Sequence, residues 1–168
     1  MYGKATETAI AAMSRLAEVW DGGETRLSAT DIAESRGLQK PFVGKVLTTL
    51  AQANLVHGTR GPGGGFVLAR HPAEIKVYEV FQLFEREDNR DLCPFGGGVC
   101  GVGVNCALHD KLVAVQDSVD DVLKHTTFES FRRAYQDEGL RPTQADEVSE
   151  ELGPRATFRA AHKRRGKP

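Results

Sequence analysis

The sequence has few cysteines, and all of them lie close together. Only three of the 168 residues are cysteine, and each falls within the span 93–106. No run of about 18 apolar residues occurs, so no membrane-spanning helix is expected. The first residues contain no long apolar stretch that would indicate a secretory signal, and an odd number of cysteines argues against a disulfide framework. We therefore expect a cytoplasmic protein that does not bind a membrane.

Acidic residues are absent from a long stretch in the first half of the chain. Residues 35–73 contain no Asp or Glu, but they contain five Lys or Arg and two His. From 76 to 140 there are seven basic and twelve acidic residues, and the last fifteen residues carry six basic residues and no acid. A basic block of this kind is typical of a surface that binds phosphate groups, although a solvated face with a charged tail has the same composition.

The spacing of apolar residues predicts a helix-turn-helix. A first helix is predicted over 4–20, before glycines 22 and 23. Ser28 is suited to cap a second, short helix, because an acid follows three residues later, and Gly37 is suited to end it. A third helix is predicted from Pro41. Its expected apolar stripe consists of Phe42, Val46, Leu47 and Leu50. Two helices around a tight turn are typical of a DNA-binding motif.

A β-hairpin is predicted directly after this motif. The segment LVHGTRGPGGGFVLAR places apolar residues on both sides of a glycine-rich turn, as expected of two short strands. Arg60 lies at the base of the turn, and Gly63 and Gly64 lie within it. A flexible, basic hairpin next to a helix-turn-helix has the form of a wing.

A long helix is predicted from residue 107, after a shorter helix over 75–85. Apolar residues recur in the long helix at steps of 4, 3, 4 and 3, which is the spacing of a seam between two helices. The seam consists of Leu108, Leu112, Val115, Val119 and Val122. The alternative is packing against the helix's own domain, but we expect a homodimer contact. A short helix should follow, and residues 141–168 have the composition of a disordered basic tail.

The cysteine-containing segment predicts a metal site. Three thiolates, Cys93, Cys100 and Cys106, can hold iron if they are deprotonated and converge, and the many glycines between them permit convergence. A zinc site with three cysteines and a histidine fits the same spacing. No Ser/His/Asp or Cys/His catalytic grouping is evident, so we do not expect an enzyme.

Several of these features together resemble one known family. The segments TDIAESRGLQKPFVGKVLTTLAQANLV and RGPGGGFVLAR, with the later Cys-x6-Cys-x5-Cys, resemble the Rrf2 family of bacterial transcription regulators over about residues 1–136. The resemblance implies a dimeric winged helix-turn-helix protein whose cysteine loop holds an iron–sulfur cluster. It also implies that the third helix enters the major groove of a DNA operator and that the wing reaches the minor groove.

The resemblance offers two candidates for the fourth cluster ligand. His109 follows the last cysteine by three residues, which is where IscR-like members place the histidine that completes a 2Fe–2S site. Glu7 aligns with the first-helix acid that NsrR-like members contribute from the partner chain to a 4Fe–4S cluster. Because the first cysteine spacing here is six residues where well-known members often have five, both cluster types stay open.

The same resemblance places the DNA contacts. Gln39 and Lys40 lie where base edges are read, and Arg60 is placed for a narrow minor groove. The expected DNA-binding residues are Ser28, Gln39, Lys40, Lys45, Arg60, Gly63 and Gly64. Gly44 departs from the family, which often has a large polar residue there, so a different operator is expected.

The sequence as a whole therefore predicts a mainly α protein. Its winged helix-turn-helix domain spans 1–86, the cysteine loop 87–106, the dimerisation helix and a final short helix 107–136, and the tail 141–168. The expected function is a DNA-binding regulator, acting as a repressor, that senses redox state, nitric oxide or iron–sulfur supply. The alternatives are a cluster-free thiol switch or zinc regulator on the same scaffold, and a small iron–sulfur redox protein.

Overall fold

The computed structural model describes residues 3–85, 98–99, 102 and 106–140. In chain order the elements are the helices α1 (Lys4–Glu18), α2 (Ala29–Arg36) and α3 (Lys40–Gln52), the strands β1 (Val56–Thr59) and β2 (Gly65–Leu68), a 3-10 turn (Pro72–Glu74), and the helices α4 (Val77–Phe84), α5 (His109–His125) and α6 (Glu129–Glu138). The predicted mainly helical, winged helix-turn-helix class is confirmed. Most of the cysteine loop, and the tail predicted to be disordered, lie outside the described residues. None of the described helices is long and apolar enough to cross a membrane.

The helix-turn-helix is fixed by caps at both ends of α2. The Ser28 hydroxyl accepts a hydrogen bond from the Asp31 N–H at 3.1 Å, and the Asp31 carboxylate accepts one from the Ser28 N–H at 2.8 Å. At the other end Gly37 has a left-handed φ of 61°, which ends the helix and turns the chain into α3. Pro41 lies in the first turn of α3, where its missing N–H leaves no bond unmade.

One apolar core lies between α1, α3, α4 and Phe128, which directly precedes α6. The buried stripe of α3 is formed by Val43, Val46, Leu47 and Leu50. Phe42, which was expected in this stripe, is only half-buried at its edge, and Val43 is fully buried instead. Helical geometry explains this difference. Val43 lies three residues before Val46 and seven before Leu50, so the three side chains share one face of the helix.

The wing is an antiparallel hairpin of β1 and β2, in which Val56 pairs with Leu68 and Thr59 with Gly65. Gly64 closes its turn, and its N–H donates to the Gly61 carbonyl at 2.9 Å. A Cβ at Gly64 would lie 2.3 Å from the Thr59 carbonyl oxygen, so only glycine fits there. The pairing of β1 with β2 and the tight turn at Gly64 hold the wing next to the end of α3.

The last two helices close onto the N-terminal part of the chain. α5 packs against α4, and α6 packs against α1. Backbone bonds join the α5–α6 connection to the start of α4: the Val77 N–H donates to Thr126, and the Phe128 N–H donates to Ile75, each at 3.0 Å. Phe128 is fully buried in the same core as α1, so α6 is anchored to the domain that carries the helix-turn-helix.

Candidate DNA-binding surface and cysteine site

The exposed side of α3 carries the residues predicted to read DNA. Gln39 is the N-cap residue of α3 and Lys40 its first residue, and both are exposed, as is Lys45 further along. The same side also exposes Pro41 and Thr48, which the sequence pattern did not indicate as DNA contacts. Both could have been predicted from the apolar stripe, because the residues of a helix that lie opposite its buried face are exposed to solvent.

Gly44 lies in the middle of this exposed side. A Cβ built on it would meet nothing within 4 Å, and the Gly44 carbonyl accepts a hydrogen bond from the Thr48 hydroxyl at 2.9 Å. A larger side chain would therefore extend from the protein without steric conflict. The exposed side of α3 therefore has open space at Gly44.

Two other predicted contacts lie at the start of α2 and on the wing. Ser28 is half-buried and its hydroxyl is engaged in the cap, so it fixes the helix as well as lying at its positive end. Arg60 and Gly63 are exposed on the wing, and Gly64 is half-buried in its turn. The wing thus presents one arginine and bare backbone.

Two arginines of the basic block are paired with acids and add little net charge to this surface, although only Arg36 is buried and the Arg70 side chain is 38% exposed. Arg36 donates from Nη2 to Glu18 Oε1 at 2.6 Å, and its side chain is only 6% exposed. Arg70 donates to the Glu79 carboxylate at 2.7 Å and to the Glu74 carbonyl at 2.9 Å. The block is therefore less basic at the surface than its composition indicates, because both charges are balanced by acids from outside it.

Of the proposed metal ligands, the described residues include Cys106, His109 and Glu7, whereas Cys93 and Cys100 lie outside them. Cys106 carries an exposed free thiol, and its carbonyl accepts a hydrogen bond from the His109 N–H at 3.0 Å. The two residues thus share one turn at the start of α5. No group of three metal-ligating side chains occurs within the part of the chain that the structure describes.

Glu7 lies exposed in the first turn of α1, and that turn is tied to the entry of the cysteine loop. The Glu85 carboxylate accepts hydrogen bonds from the Gly3 N–H, at 2.6 Å, and from the Thr6 hydroxyl. Glu85 is the last described residue before the loop. The turn carrying Glu7 is therefore linked to the loop's first end, whereas His109 lies at its second end.

The predicted seam on α5 divides into two lines. Leu108, Val115 and Val122 recur every seven residues and are 43%, 63% and 59% exposed. Leu112 and Val119 are half-buried, and Val119 packs against the core of its own domain. The expected alternatives thus apply to different residues: one line supports the fold, and the other is left facing solvent in the single chain.

A comparison with protein families decides what kind of molecule carries this surface. The model of the Rrf2 family, described as "Iron-dependent Transcriptional regulator", matches residues 2–133. The chain belongs to the Rrf2 family. It is thus a DNA-binding transcription regulator, as predicted.

Individual relatives of this Rrf2 regulator agree with the assignment. IscR of Escherichia coli O1:K1 / APEC, an HTH-type transcriptional regulator, is 29% identical over 119 residues, which cover 71% of this chain and 72% of that protein. The structure of IscR from T. potens aligns with a TM-score of 0.62 at 23% identity, covering 85% of this chain and 93% of the other. The structure of CymR, the global cysteine regulator of B. subtilis, aligns with a TM-score of 0.62 at 23% identity, covering 79% of this chain and 95% of the other.

The two solved structures share the fold of this Rrf2 regulator. The relatives are transcription regulators, which agrees with the expectation that this chain is not an enzyme.

Proposed function

We propose that this Rrf2 regulator is a homodimeric repressor whose DNA affinity is set by an iron–sulfur cluster. The cluster ligands are Cys93, Cys100 and Cys106 together with His109, with Glu7 as the alternative to the histidine. The His109 site corresponds to a 2Fe–2S cluster and the Glu7 site to a 4Fe–4S cluster. The signal read by the cluster is redox state, nitric oxide or iron–sulfur supply.

The observation that carries this proposal is the shared turn of Cys106 and His109 at the start of α5. A thiolate and an imidazole three residues apart can bind one metal centre from the same turn, and thiolates are the usual ligands of iron–sulfur clusters. The donor chemistry of three thiols and one imidazole or carboxylate fits such a cluster. A bound cluster would supply a centre that gains or loses electrons, or is dismantled, in response to the signal.

The helices offer a physical route from the cysteine loop to the DNA-binding surface. The Cys106–His109 turn begins α5, and α5 ends at a connection bonded to the start of α4 and buried in the common core through Phe128. A change at the first turn of α5 would shift how the helix meets a second copy. In a dimer this shift changes the separation of the two α3 helices, and with it the fit to DNA.

The proposed interface with DNA uses α3 and the wing. Gln39 and Lys40 read base edges in the major groove, while Ser28 and Lys45 contact phosphates on either side. Arg60 enters the adjacent minor groove, where Gly63 and Gly64 let the wing backbone approach closely. The exposed line of Leu108, Val115 and Val122 forms the contact with a second copy. The cellular setting of such a regulator is the cytoplasm.

The cluster proposal is tested by iron and sulfide analysis and visible absorption spectra of full-length protein purified without oxygen. Each of Cys93→Ser, Cys100→Ser and Cys106→Ser should abolish iron and sulfide binding, because no remaining thiolate can replace the lost one. His109→Ala should keep a cluster that decays faster in air, and Glu7→Ala should leave it unchanged; the reverse pattern assigns the ligand to Glu7.

Two results would overturn the cluster. One is a wild type that binds zinc alone, and the other is a wild type that binds no metal but whose DNA affinity depends on thiol oxidation.

A further inference from the structure

Arg26 lies outside the acid-free block and has no role in the DNA-binding mode described above. The residue after it, Leu27, is joined to the wing by two backbone hydrogen bonds with Phe66, one at 3.1 Å and one at 2.8 Å. Ser28, the cap of α2, follows directly. Arg26 therefore lies where the wing and the helix-turn-helix are bonded together.

The Arg26 side chain crosses β2 and reaches β1. Its Nη1 donates a hydrogen bond to the Thr59 hydroxyl at 2.8 Å. Thr59 belongs to β1 and pairs with Gly65 of β2, so β2 lies between Arg26 and its partner. A Cβ at Gly65 would lie 3.2 Å from the Arg26 Cβ and 2.9 Å from the Leu27 carbonyl oxygen. The missing side chain of Gly65 thus makes room for the crossing, and the guanidinium is held beside the residue that precedes Arg60.

Among the residues that the structure describes, no acid forms an ion pair with Arg26. By contrast, Arg15, Arg36, Arg70, Arg132 and Arg133 each pair with a Glu. The carboxylate of Asp21, five residues before Arg26 in the chain, accepts hydrogen bonds from the N–H and the hydroxyl of Thr25. Thr59 is a neutral acceptor, so it orients the guanidinium without neutralising it, and most of the five N–H donors stay available.

We propose that Arg26 binds a DNA phosphate beside the wing, where the wing is bonded to the segment that leads into α2. An exposed, oriented and unpaired guanidinium suits phosphate because it carries a full charge and several donors in one plane. The orientation by Thr59 reduces the side-chain entropy lost on binding. This inference rests on the proposed use of α3 and the wing for DNA, and it adds a contact beside Thr59 and Gly65, the paired strand residues that border the turn of the wing.

The test measures the salt dependence of binding of the full-length protein to two random-sequence duplexes, one rich in A·T and one rich in G·C. Arg26→Ala should lower the slope of log K against log salt by about 0.9 on both duplexes, as expected for one lost phosphate contact. Arg26→Lys should restore the slope. Thr59→Val should leave the slope unchanged and weaken binding about two- to tenfold, because the charge stays but its orientation is lost.

The matched control is Arg70→Ala, which removes an arginine next to the wing whose charge is already paired with Glu79. It should leave the slope unchanged. Thermal melts establish that each variant is folded before its binding is compared.

The outcomes separate this inference from the proposed function. An unchanged slope in Arg26→Ala overturns the inference, and so does a loss on only one of the two duplexes, which would indicate base reading. Wild type that binds neither duplex at low salt would instead contradict the DNA-binding mode itself.

Discussion

Arg36 belongs by sequence to the basic block, but its guanidinium is enclosed by α1. Besides Glu18 it contacts the Ser14 hydroxyl at 3.2 Å and the Ala11 carbonyl at 3.4 Å. Glu18 is itself 2% exposed and also accepts from Arg15 at 3.1 Å. Because Arg36 is the last residue of α2, this buried pair fixes the turn from which the recognition helix α3 starts. Arg36 is thus a positioning residue, whereas Arg26 and Arg60 are surface charges.

Removal of Arg36 should destabilise the fold without removing a DNA contact. Arg36→Met leaves the buried Glu18 carboxylate short of its main partner, so the free energy of unfolding should fall by about 3–5 kcal/mol. The double variant Glu18→Leu with Arg36→Met should recover most of this loss. Denaturant unfolding measures both effects, and the salt slope of DNA binding should match wild type in the double variant. A smaller slope there would mean that Arg36 touches phosphate.

Two glycines on the DNA-binding side should respond oppositely to alanine. Gly44→Ala adds a Cβ into open space within a helix, so it should raise the free energy of unfolding by about 1 kcal/mol. Gly64→Ala drives a Cβ into the Thr59 carbonyl and should destabilise the wing. Thermal melts compare the two variants directly. Destabilisation by Gly44→Ala would show that the space above α3 is filled in solution.

At the scale of elements, ion pairs between three charged side chains stabilise the start of α6. Glu129 accepts from Arg132 at 2.5 and 2.8 Å and from Arg133 at 3.0 Å. The hydrogen bonds from Arg132, then those from Arg133, lower the pKa of Glu129 from its ordinary value of 4.5 to about 2. Since the folded pKa lies below the unfolded one, this stabilisation is complete above about pH 4.5 and is lost as the pH falls towards 2.

The pH dependence of this cluster can be isolated with Glu129→Gln. At about pH 7 the wild type should be more stable than the variant by at least about 1 kcal/mol, because charge-assisted hydrogen bonds are lost. The difference should narrow as the pH is lowered to about 3. Denaturant unfolding at both pH values measures it, and a constant difference would show that the ionised carboxylate is not its source.

The exposed line of α5 should hold the proposed dimer. Val115→Asp with Val122→Asp places charges in an apolar contact, each unfavourable by several kcal/mol, but it leaves the core of the single chain untouched because both residues are exposed. Sedimentation should show a monomer with an unchanged melting profile at low protein concentration. Val113→Asp, on the other side of the helix and 39% exposed, is the matched control and should stay dimeric. A double variant that stays dimeric would show that the dimer interface lies elsewhere on the protein.

Helices, strands and helix caps could be predicted from the sequence better than side-chain contacts between distant residues. The Ser28–Asp31 capping box, the end of α2 at Gly37 and the hairpin all depend on neighbours within a few residues, so local patterns indicate them. The Arg36–Glu18 pair, the Arg26–Thr59 bond and the bond from Thr6 to Glu85 join residues 18, 33 and 79 positions apart. No periodicity encodes such pairs, because each depends on how separate elements pack. That is why Arg26 was missed and the buried pairing of Arg36 with Glu18 was not predicted.

On the scale of the whole molecule, the chain joins a proposed sensor to a DNA-binding surface through shared packing. The first turn of α1 is bonded to the entry of the cysteine loop, and α5 begins at its exit. At the other end of α1, Gln136 of α6 donates to the Glu18 and Trp20 carbonyls at 3.2 and 3.3 Å. The helix that contacts the recognition motif is therefore held at both ends by segments that flank or follow the loop.

The central claim is that the state of the cluster controls DNA affinity. Its most direct test is the dissociation constant of full-length protein, loaded with cluster or stripped of it, for one duplex selected from a random-sequence library. The account predicts that the two forms differ by about 5- to 150-fold, the range of typical coupling energies. Cys106→Ser should show the stripped value under either condition. Equal dissociation constants for the loaded and stripped wild type would contradict the claim.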